Sequence, residues 1–246
     1  FLVIYFLVAY FSRHPALRFG LFVRKGVKFA FFSVLAAGIS MAVVLPTYTA
    51  LQLTSAANDV SPATWNLSFN LFDFLTNHLL VVPLHIREGL PNIYCGLAAL
   101  ILIPLYFFSP SIPVRSKIAH LLGLLALFFS FSVNTLDFLW NGGHYPNQLP
   151  YRYAFVYVFL LLSMGYPVYI RLREFPARLI VGVSMAAAAF VVLADKLAAD
   201  SADTLTVYLS LLFLAFLAAG MVYARSPRHP RELRVTVLSS VIIAEL

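Results

Sequence analysis

The sequence alternates long apolar runs with short polar connections. Six runs approach the roughly 20 apolar residues that a helix needs to cross a bilayer, and two further runs lie at the ends of the sequence. We therefore predict an all-α, polytopic bundle of about eight transmembrane helices in a single transmembrane domain, with two partial spans. The predicted spans are 1–11, 27–45, 93–108, 118–136, 153–170, 177–194, 204–224 and 235–246. Because both end runs are short, we expect the chain to be a piece of a longer protein.

Composition excludes an ordinary soluble domain. The chain of 246 residues is 61% hydrophobic and only 11% charged, whereas soluble domains are about 25% charged. The net charge of +7 does not indicate nucleic-acid binding, because the basic residues form short clusters between apolar runs and no basic groove is indicated. The lone Cys95 cannot form an internal disulfide.

The basic residues predict an orientation. The connections form two alternating sets. All but three of the 17 Lys and Arg residues fall in one set, and the other set holds only Arg87, Arg152 and Lys196. Cytoplasmic loops carry an excess of Lys and Arg, so the connections that hold these three residues are predicted to be outside. The predicted outer loops are 46–92, 137–152 and 195–203. These loops are also richer in His, Asn and aromatic residues, and so any chemistry is expected at the outer face.

The first outer loop is predicted to contain an amphipathic helix that lies on the membrane surface. Ser61-Pro62 is a typical helix start. The polar residues that follow have spacings of about three to four, which places them on one stripe of a helix. We predict that this stripe contacts a sugar or a lipid headgroup; the alternative is a face that is merely wetted. The stripe consists of Asn66, Asn70, Asp73 and Asn77.

Phosphate-binding candidates occur in both longer outer loops. Arg87 lies near the end of the first loop, and arginine binds phosphate with a bidentate fork. The second loop follows Gly142-Gly143 with a dense polar and aromatic segment, in which His144 is suited to proton transfer. We predict that the substrate and its lipid phosphate bind Arg87, His144, Asn147, Tyr151 and Arg152. Interfacial anchoring and loop packing are the alternatives for these residues.

Other kinds of site are weakly indicated. Asp137, His144 and His85 could be combined into a metal site, but nothing in their spacing demands one, and we predict none. The sequence contains no nucleophile motif, phosphate-binding glycine loop or dinucleotide fingerprint.

Three segments carry a resemblance to a known family. They are LPTYTAL at 45–51, LPNIYCGLAALILIPLYFF at 90–108 and WNGGHYPNQLPYRYAFVYVFLLL at 140–162. They resemble the YfhO family of bacterial membrane proteins, whose members are longer and are similar to the GT-C class of membrane glycosyltransferases. The resemblance implies a multi-pass protein of the bacterial cytoplasmic membrane. It also implies transfer of a sugar from a polyprenyl-phosphate carrier, the donor substrate, to an outer cell-envelope acceptor such as lipoteichoic acid.

The resemblance does not supply a catalytic base. In GT-C enzymes the catalytic acid usually lies in the first outer loop near the N-terminus, and this chain is expected to begin after that loop. No residue here is therefore assigned as catalytic, and no cofactor other than the lipid-linked sugar is implied.

Two other functions remain open. A transporter or lipid flippase is suggested by the number of spans and by Glu245, the one charge inside an apolar run, whose partner we expect outside this sequence. Its hydrated path would use Ser130, Ser132 and Asn134. The middles of the six complete spans carry no charge, which argues against coupled transport. A noncatalytic membrane partner in envelope synthesis is the other alternative.

Overall fold

The described part of the chain consists of helices and their connections. The structure is a computed structural model that describes residues 2–14, 19–53, 62–143, 148–198, 203–226 and 230–245. In these residues the only β-type pairing is an isolated bridge between Leu67 and Val133. The helices are α1 (Leu2–Arg13), α2 (Phe19–Leu51), α3 (Leu71–Thr76), α4 (Ala98–Phe108), α5 (Val114–Ser132), α6 (Asn134–Trp140), α7 (Ala154–Ile170), α8 (Ala177–Leu197), α9 (Thr204–Arg225) and α10 (Arg231–Glu245).

Several of these helices suit a membrane. Four are long and apolar enough to cross one: Phe19–Ala50, Val114–Ser132, Ala177–Leu197 and Thr204–Arg225. Shorter apolar helices are Leu2–Arg13, Ala98–Phe108, Ala154–Ile170 and Thr236–Glu245. The prediction of an all-helical membrane protein is thus confirmed, whereas the count of eight spans stays a prediction.

Some element bounds differ from the predicted ones. Residues 46–51, assigned to the first outer loop, continue α2 even though Pro46 lies inside the helix. The helix predicted to start at residue 93 starts at Ala98, because Gly96 adopts a positive φ of 96° and the preceding backbone is irregular. The predicted span 118–136 is also interrupted, since Val133 is extended and separates α5 from α6.

The bundle has two chemically different ends. We call one the basic end; it comprises residues 13–14, 109–117, 171–178, 225–226 and 230–231. At this end the Arg115 guanidinium donates to the His14 carbonyl, and Ser111 donates to Glu174. We call the other the loop end; it comprises residues 62–97, 130–143, 148–153, 195–198, 203–204 and Glu245.

Two buried clusters hold the bundle together. The larger one joins α4, α7, α8 and α9, and its fully buried members include Leu105, Met164, Ile180 and Leu217. The second lies under the loop end and is aromatic; Phe74, Phe131, Tyr153 and Tyr157 are among its members.

Helix α2 stands apart from these clusters. None of its most hydrophobic 18-residue window is buried in the protein. Its ring contacts with α1 are close to the basic end, where Phe22 packs against Tyr10 and Phe29 stacks on Phe6. An apolar helix with so little burial requires a lipid-like surrounding for most of its surface.

Candidate functional site

The amphipathic helix predicted for the first outer loop is wrong in extent. Of the stripe residues, only Asp73 lies within α3, which spans Leu71–Thr76. Asn70 caps this short helix: its side chain accepts from the Asp73 N–H at 2.9 Å, and Asp73 reaches back to the Asn70 N–H. Asn and Asp favour such caps over helix interiors because their side chains bond nearby backbone groups. Ser61, the proposed helix start, lies outside the described residues.

The other two residues of the stripe are also engaged locally. The Asn66 amide donates to the Thr64 hydroxyl at 3.0 Å, and this asparagine stays exposed. Asn77 is only 4% exposed, and its amide donates to the Pro91 carbonyl at 3.0 Å. The predicted sugar contact therefore loses its physical support at Asn77, because the donor is consumed by the backbone of the segment that leads into α4.

The first outer loop pairs with the α5–α6 junction and with the second outer loop. The Ser68 N–H donates to the Ser132 carbonyl at 2.7 Å. In return, the Asn134 N–H donates to the Asn66 carbonyl at 3.2 Å. A second junction lies further along both loops, where the Leu149 N–H donates to the Ile86 carbonyl at 2.5 Å. These contacts join two segments that are more than 60 residues apart in the sequence into one surface at the loop end.

The two predicted phosphate-binding arginines flank the second junction. Arg87 follows Ile86, is exposed and forms no hydrogen bond with a described residue. Arg152 is also exposed, and its guanidinium donates to the Gln148 carbonyl at 3.1 Å. Their charges are thus available at one surface. His144 and Asn147, which were predicted to bind with them, lie outside the described residues.

Tyr151 is a packing residue. Its ring is buried and makes edge contacts with Phe69 and Phe131. Its φ of 54° lies in the left-handed region, which is unusual for a bulky residue and indicates that the surrounding contacts hold it there. Burial, reinforced by the charge of Asp137, raises the pKa of Tyr151 to about 12, so that the hydroxyl stays neutral. The described contacts favour packing over substrate binding for this side chain.

Asp137 is a candidate proton acceptor, a role that its sequence position alone did not indicate. It lies in α6 and is half-buried; its Oδ1 accepts from the Tyr153 hydroxyl at 3.1 Å and from the Asn141 amide at 3.2 Å. Burial raises the pKa of Asp137 even though these two hydrogen bonds lower it. A carboxylate with a raised pKa is a stronger proton acceptor near neutral pH. The spacing of four between Asp137 and Asn141 was the available sequence signal.

His78 is the second unexpected group. Its Nδ1 lies 3.3 Å from the Leu75 carbonyl and therefore carries the proton, so that Nε2 accepts from the Tyr157 hydroxyl at 3.2 Å. Burial lowers the pKa of His78 to about 4, which keeps the ring neutral at pH 7. Next to it, the Leu80 N–H donates to the Ser210 hydroxyl at 3.1 Å, so this part of the loop packs between α7 and α9.

His78 and Tyr157 lie at an apolar cavity between α4, α7 and α8. The cavity has a volume of about 330 Å³, and Leu100, Pro104 and Phe190 contribute to its walls. Apolar cavities of this size, with a few polar groups, are typical of ligand pockets. Its wall chemistry suits part of a hydrocarbon chain.

Comparison with known families decides the relationship of the chain. The family model described as bacterial membrane protein YfhO matches residues 1–246. The chain belongs to the YfhO family. No curated protein matches it, and no solved structure matches it either. The family resemblance predicted from three segments is thus confirmed over the whole YfhO chain.

Glu245 has partners inside this YfhO chain, which corrects the expectation that they lie elsewhere. Its Oε1 accepts from the Tyr94 hydroxyl at 2.7 Å and from the Leu97 N–H. The first N–H groups of a helix have no partner within the helix, and a negative charge is favourable there. Through Oε1 the carboxylate therefore stabilises the start of α4, whereas its Oε2 is buried without a hydrogen-bond partner among the described residues.

The expectation that this family member has no metal site stays a prediction. Among the described residues, no three His, Cys, Asp or Glu side chains come together. Of the three residues considered for a metal site, His144 lies outside the described part of the chain.

Proposed function

We propose that this YfhO chain forms part of a membrane glycosyltransferase. The enzyme transfers a sugar from a polyprenyl-phosphate carrier to a cell-envelope acceptor, such as a wall polymer, on the outer face of the bacterial cytoplasmic membrane. The observation that carries the proposal is the composition of the loop end, where exposed arginines, a carboxylate with a raised pKa and an apolar cavity occur together. Family membership supports the membrane setting.

Each part of such a reaction has a counterpart at the loop end. The polyprenyl phosphate gains negative charge as it leaves the sugar, and preorganised cations stabilise that charge. Arg87 and Arg152 are the exposed candidates for this role. The acceptor hydroxyl must lose a proton as it attacks, and Asp137 is the candidate to receive it. The cavity beside His78 has the wall chemistry for a segment of the isoprenoid chain.

The proposed orientation places the loop end outside the cell. The excess of Lys and Arg in the connections of the basic end supports this orientation. Reporter fusions after Ser111 and after Asn147 are expected to report opposite sides of the membrane. The same compartment for both fusions would contradict the orientation and the outer location of the proposed site.

The contacts favour an enzyme over a transporter. The hydroxyls of Ser130 and Ser132, proposed for a hydrated path, donate to the carbonyls of Ala126 and Phe128 in their own helix. Asn134 is bonded to the first loop through the Thr64 carbonyl. Together with the local partners of Glu245, these bonds leave few polar groups for a transport path among the described residues.

The central test is a set of substitutions in the intact protein. Asp137→Asn keeps the shape of the side chain but removes its basicity, and we expect wall-polymer glycosylation to fall by about 100-fold or more. Arg152→Ala and Arg87→Ala are expected to reduce it by about tenfold or more each, as the loss of a charge-assisted contact predicts. Arg173→Ala, an exposed arginine at the basic end, is the matched control.

The readouts separate the alternatives. Sugar content of the wall polymer is measured by mass spectrometry, and protein level by immunoblot. Lipid-linked sugar should accumulate as the polymer loses sugar. Unchanged glycosylation in Asp137→Asn at normal protein level would remove Asp137 from the reaction, and unchanged glycosylation in all three variants would favour a noncatalytic partner. Substrate flux into vesicles that lack an acceptor would favour a flippase.

A further inference from the structure

A second cavity lies at the basic end, across the bundle from the proposed reaction site. It has a volume of about 370 Å³ and lies between α1, α4, α5 and α7. Its apolar wall includes Tyr5, Val8 and Pro167. The polar residues that line it are Ser12, Arg13, Tyr106, Ser111, Ser116, His120, Ser163 and Arg171. We call it the basic-end cavity.

A hydrogen-bond network fixes the neutral donors of this cavity. His120 Nδ1 lies 2.7 Å from the Ser116 carbonyl, which can only accept, so this nitrogen carries the proton. The Tyr106 hydroxyl lies 3.0 Å from the same nitrogen and 2.8 Å from the Ser116 hydroxyl. Tyr106 and Ser116 are themselves buried. His120 Nε2 forms no hydrogen bond with a described residue and is left for a ligand.

The charges around the cavity are positive. Arg13 and Arg171 are exposed lining residues, and neither side chain is hydrogen-bonded to another described residue. The described residues that line the cavity include no acid. The acid in contact with the lining is Glu174, which accepts from Ser111. Helix α5 also begins here without a side-chain cap, so the positive end of its dipole adds to the field.

We propose that the basic-end cavity binds a phosphate ester, with the phosphate between Arg13 and Arg171 and the attached polar group among the hydroxyls and His120. Arginine is suited to phosphate because its planar fork offers parallel donors. The cavity volume exceeds that of a bare phosphate and lies in the range of small-ligand pockets. Two sources carry this chemistry: the headgroup of an anionic lipid and a soluble phosphate ester. The site is separate from the proposed glycosyl-transfer site and does not depend on it.

The test is native mass spectrometry of the intact protein in detergent with three probes. Dioctanoyl phosphatidylglycerol represents the lipid, glycerol 3-phosphate represents the soluble ester, and dioctanoylglycerol lacks phosphate. Arg13→Gln and Arg171→Gln are each expected to weaken binding of the phosphate probe by about tenfold, the effect of losing one charge-assisted contact. Arg178→Gln, at the same end but outside the lining, should leave binding unchanged.

The substitution Glu174→Gln is expected to change the affinity for the phosphate probe in the opposite direction. It removes the negative charge beside Ser111 while keeping an acceptor, so phosphate binding should tighten by about twofold, as expected for one screened surface charge. Binding of the lipid without the soluble ester would identify a headgroup site, and the reverse would identify a soluble ligand. Equal binding of dioctanoylglycerol, binding of neither phosphate probe, or equal losses in Arg178→Gln and Arg13→Gln would overturn the proposal.

Discussion

The loop end and the basic end are both polar, but their polar groups are used differently. At the loop end, Asn70 caps a helix and Asn77 bonds a backbone carbonyl. At the basic end, Arg13 and Arg171 are exposed beside a cavity without a described protein partner for their guanidinium groups. The loop end, which is rich in polar side chains, therefore uses several of these side chains to stabilise its own fold. The basic connections also use some of theirs, since Arg115 and Lys117 donate to backbone carbonyls, but Arg13 and Arg171 stay available to a ligand.

The comparison teaches that polar density alone does not locate a binding site. A long loop must satisfy its own backbone and side-chain groups when it packs, because an unsatisfied buried group costs about 1–3 kcal/mol. A short connection between two helices has little backbone to satisfy. Of the loop-end residues, Arg87, Arg152 and Asp137 retain capacity after this requirement is met, and the proposed function is built on them for that reason.

The largest expected effect tests whether the loop end is a packed unit. Phe131 is fully buried and stacks on Tyr153 with ring centroids 4.8 Å apart. Phe131→Ala should lower the free energy of unfolding by about 3–5 kcal/mol, as for other buried aromatic truncations. Phe129→Ala, two positions away and 51% exposed, is the matched control and should cost far less. Similar losses in both variants, measured by chemical unfolding in mild detergent, would show that the loop end has no packed core.

The next prediction concerns pH. His78 has its pKa lowered from 6.5 to about 4, so the folded protein binds this proton less readily than the unfolded chain. The stability that the neutral ring contributes is complete above pH 6.5 and is lost as the pH falls toward 4. The loss is on the order of 3 kcal/mol. Unfolding midpoints between pH 4 and 7 should lose this slope in His78→Gln and keep it in His85→Gln.

Asp137 is expected to make the free energy of unfolding depend on pH in the opposite direction, and the same experiment measures this. Its pKa is raised, so its folded carboxyl binds the proton more readily than the unfolded one. The stability that the protonated carboxyl contributes is present below its ordinary pKa of 3.8 and is lost as the pH rises through the raised pKa. Asp137→Asn should therefore steepen the acid-induced loss that His78 causes. An unchanged slope in this variant would contradict the burial of the carboxylate.

A smaller effect distinguishes structural from available amides. Asn77→Ala leaves the Pro91 carbonyl without its donor and should cost about 1–3 kcal/mol of unfolding free energy. Asn66→Ala, at an exposed position, should change it by less than about 0.5 kcal/mol. Chemical unfolding of the two variants side by side measures the difference. Equal costs would mean that the Asn77 contact contributes nothing to the fold.

The smallest expected effect belongs to the basic end. Arg171→Gln should alter the free energy of unfolding by less than about 0.5 kcal/mol, because its side chain is exposed and forms no hydrogen bond with a described residue. A loss above about 1 kcal/mol would show that this arginine supports the fold, and the contrast between the two ends would then fail.

Much of the fold could be predicted from apolar runs, and little of the site could. The helix predicted at 153–170 is found as Ala154–Ile170, because its length and composition are local properties. Residues 66–68 pair with residues 132–134 instead of forming a helix, and no local pattern reveals that pairing. Glu245 is likewise bonded to Tyr94, 151 positions away. Tertiary contacts at such separations decide which polar groups remain available.

The length of α2 sets where its two parts must lie. Its 33 residues correspond to about 50 Å of helix, whereas the hydrocarbon layer is about 30 Å thick. Even a 40° tilt, the upper end of the common range, would leave the projected length near 38 Å. The first ten residues, which include Arg24, Lys25 and Lys28, account for roughly 15 Å. We therefore expect this cationic first part of the helix to extend through the headgroup layer, with the remaining length of the helix in the membrane.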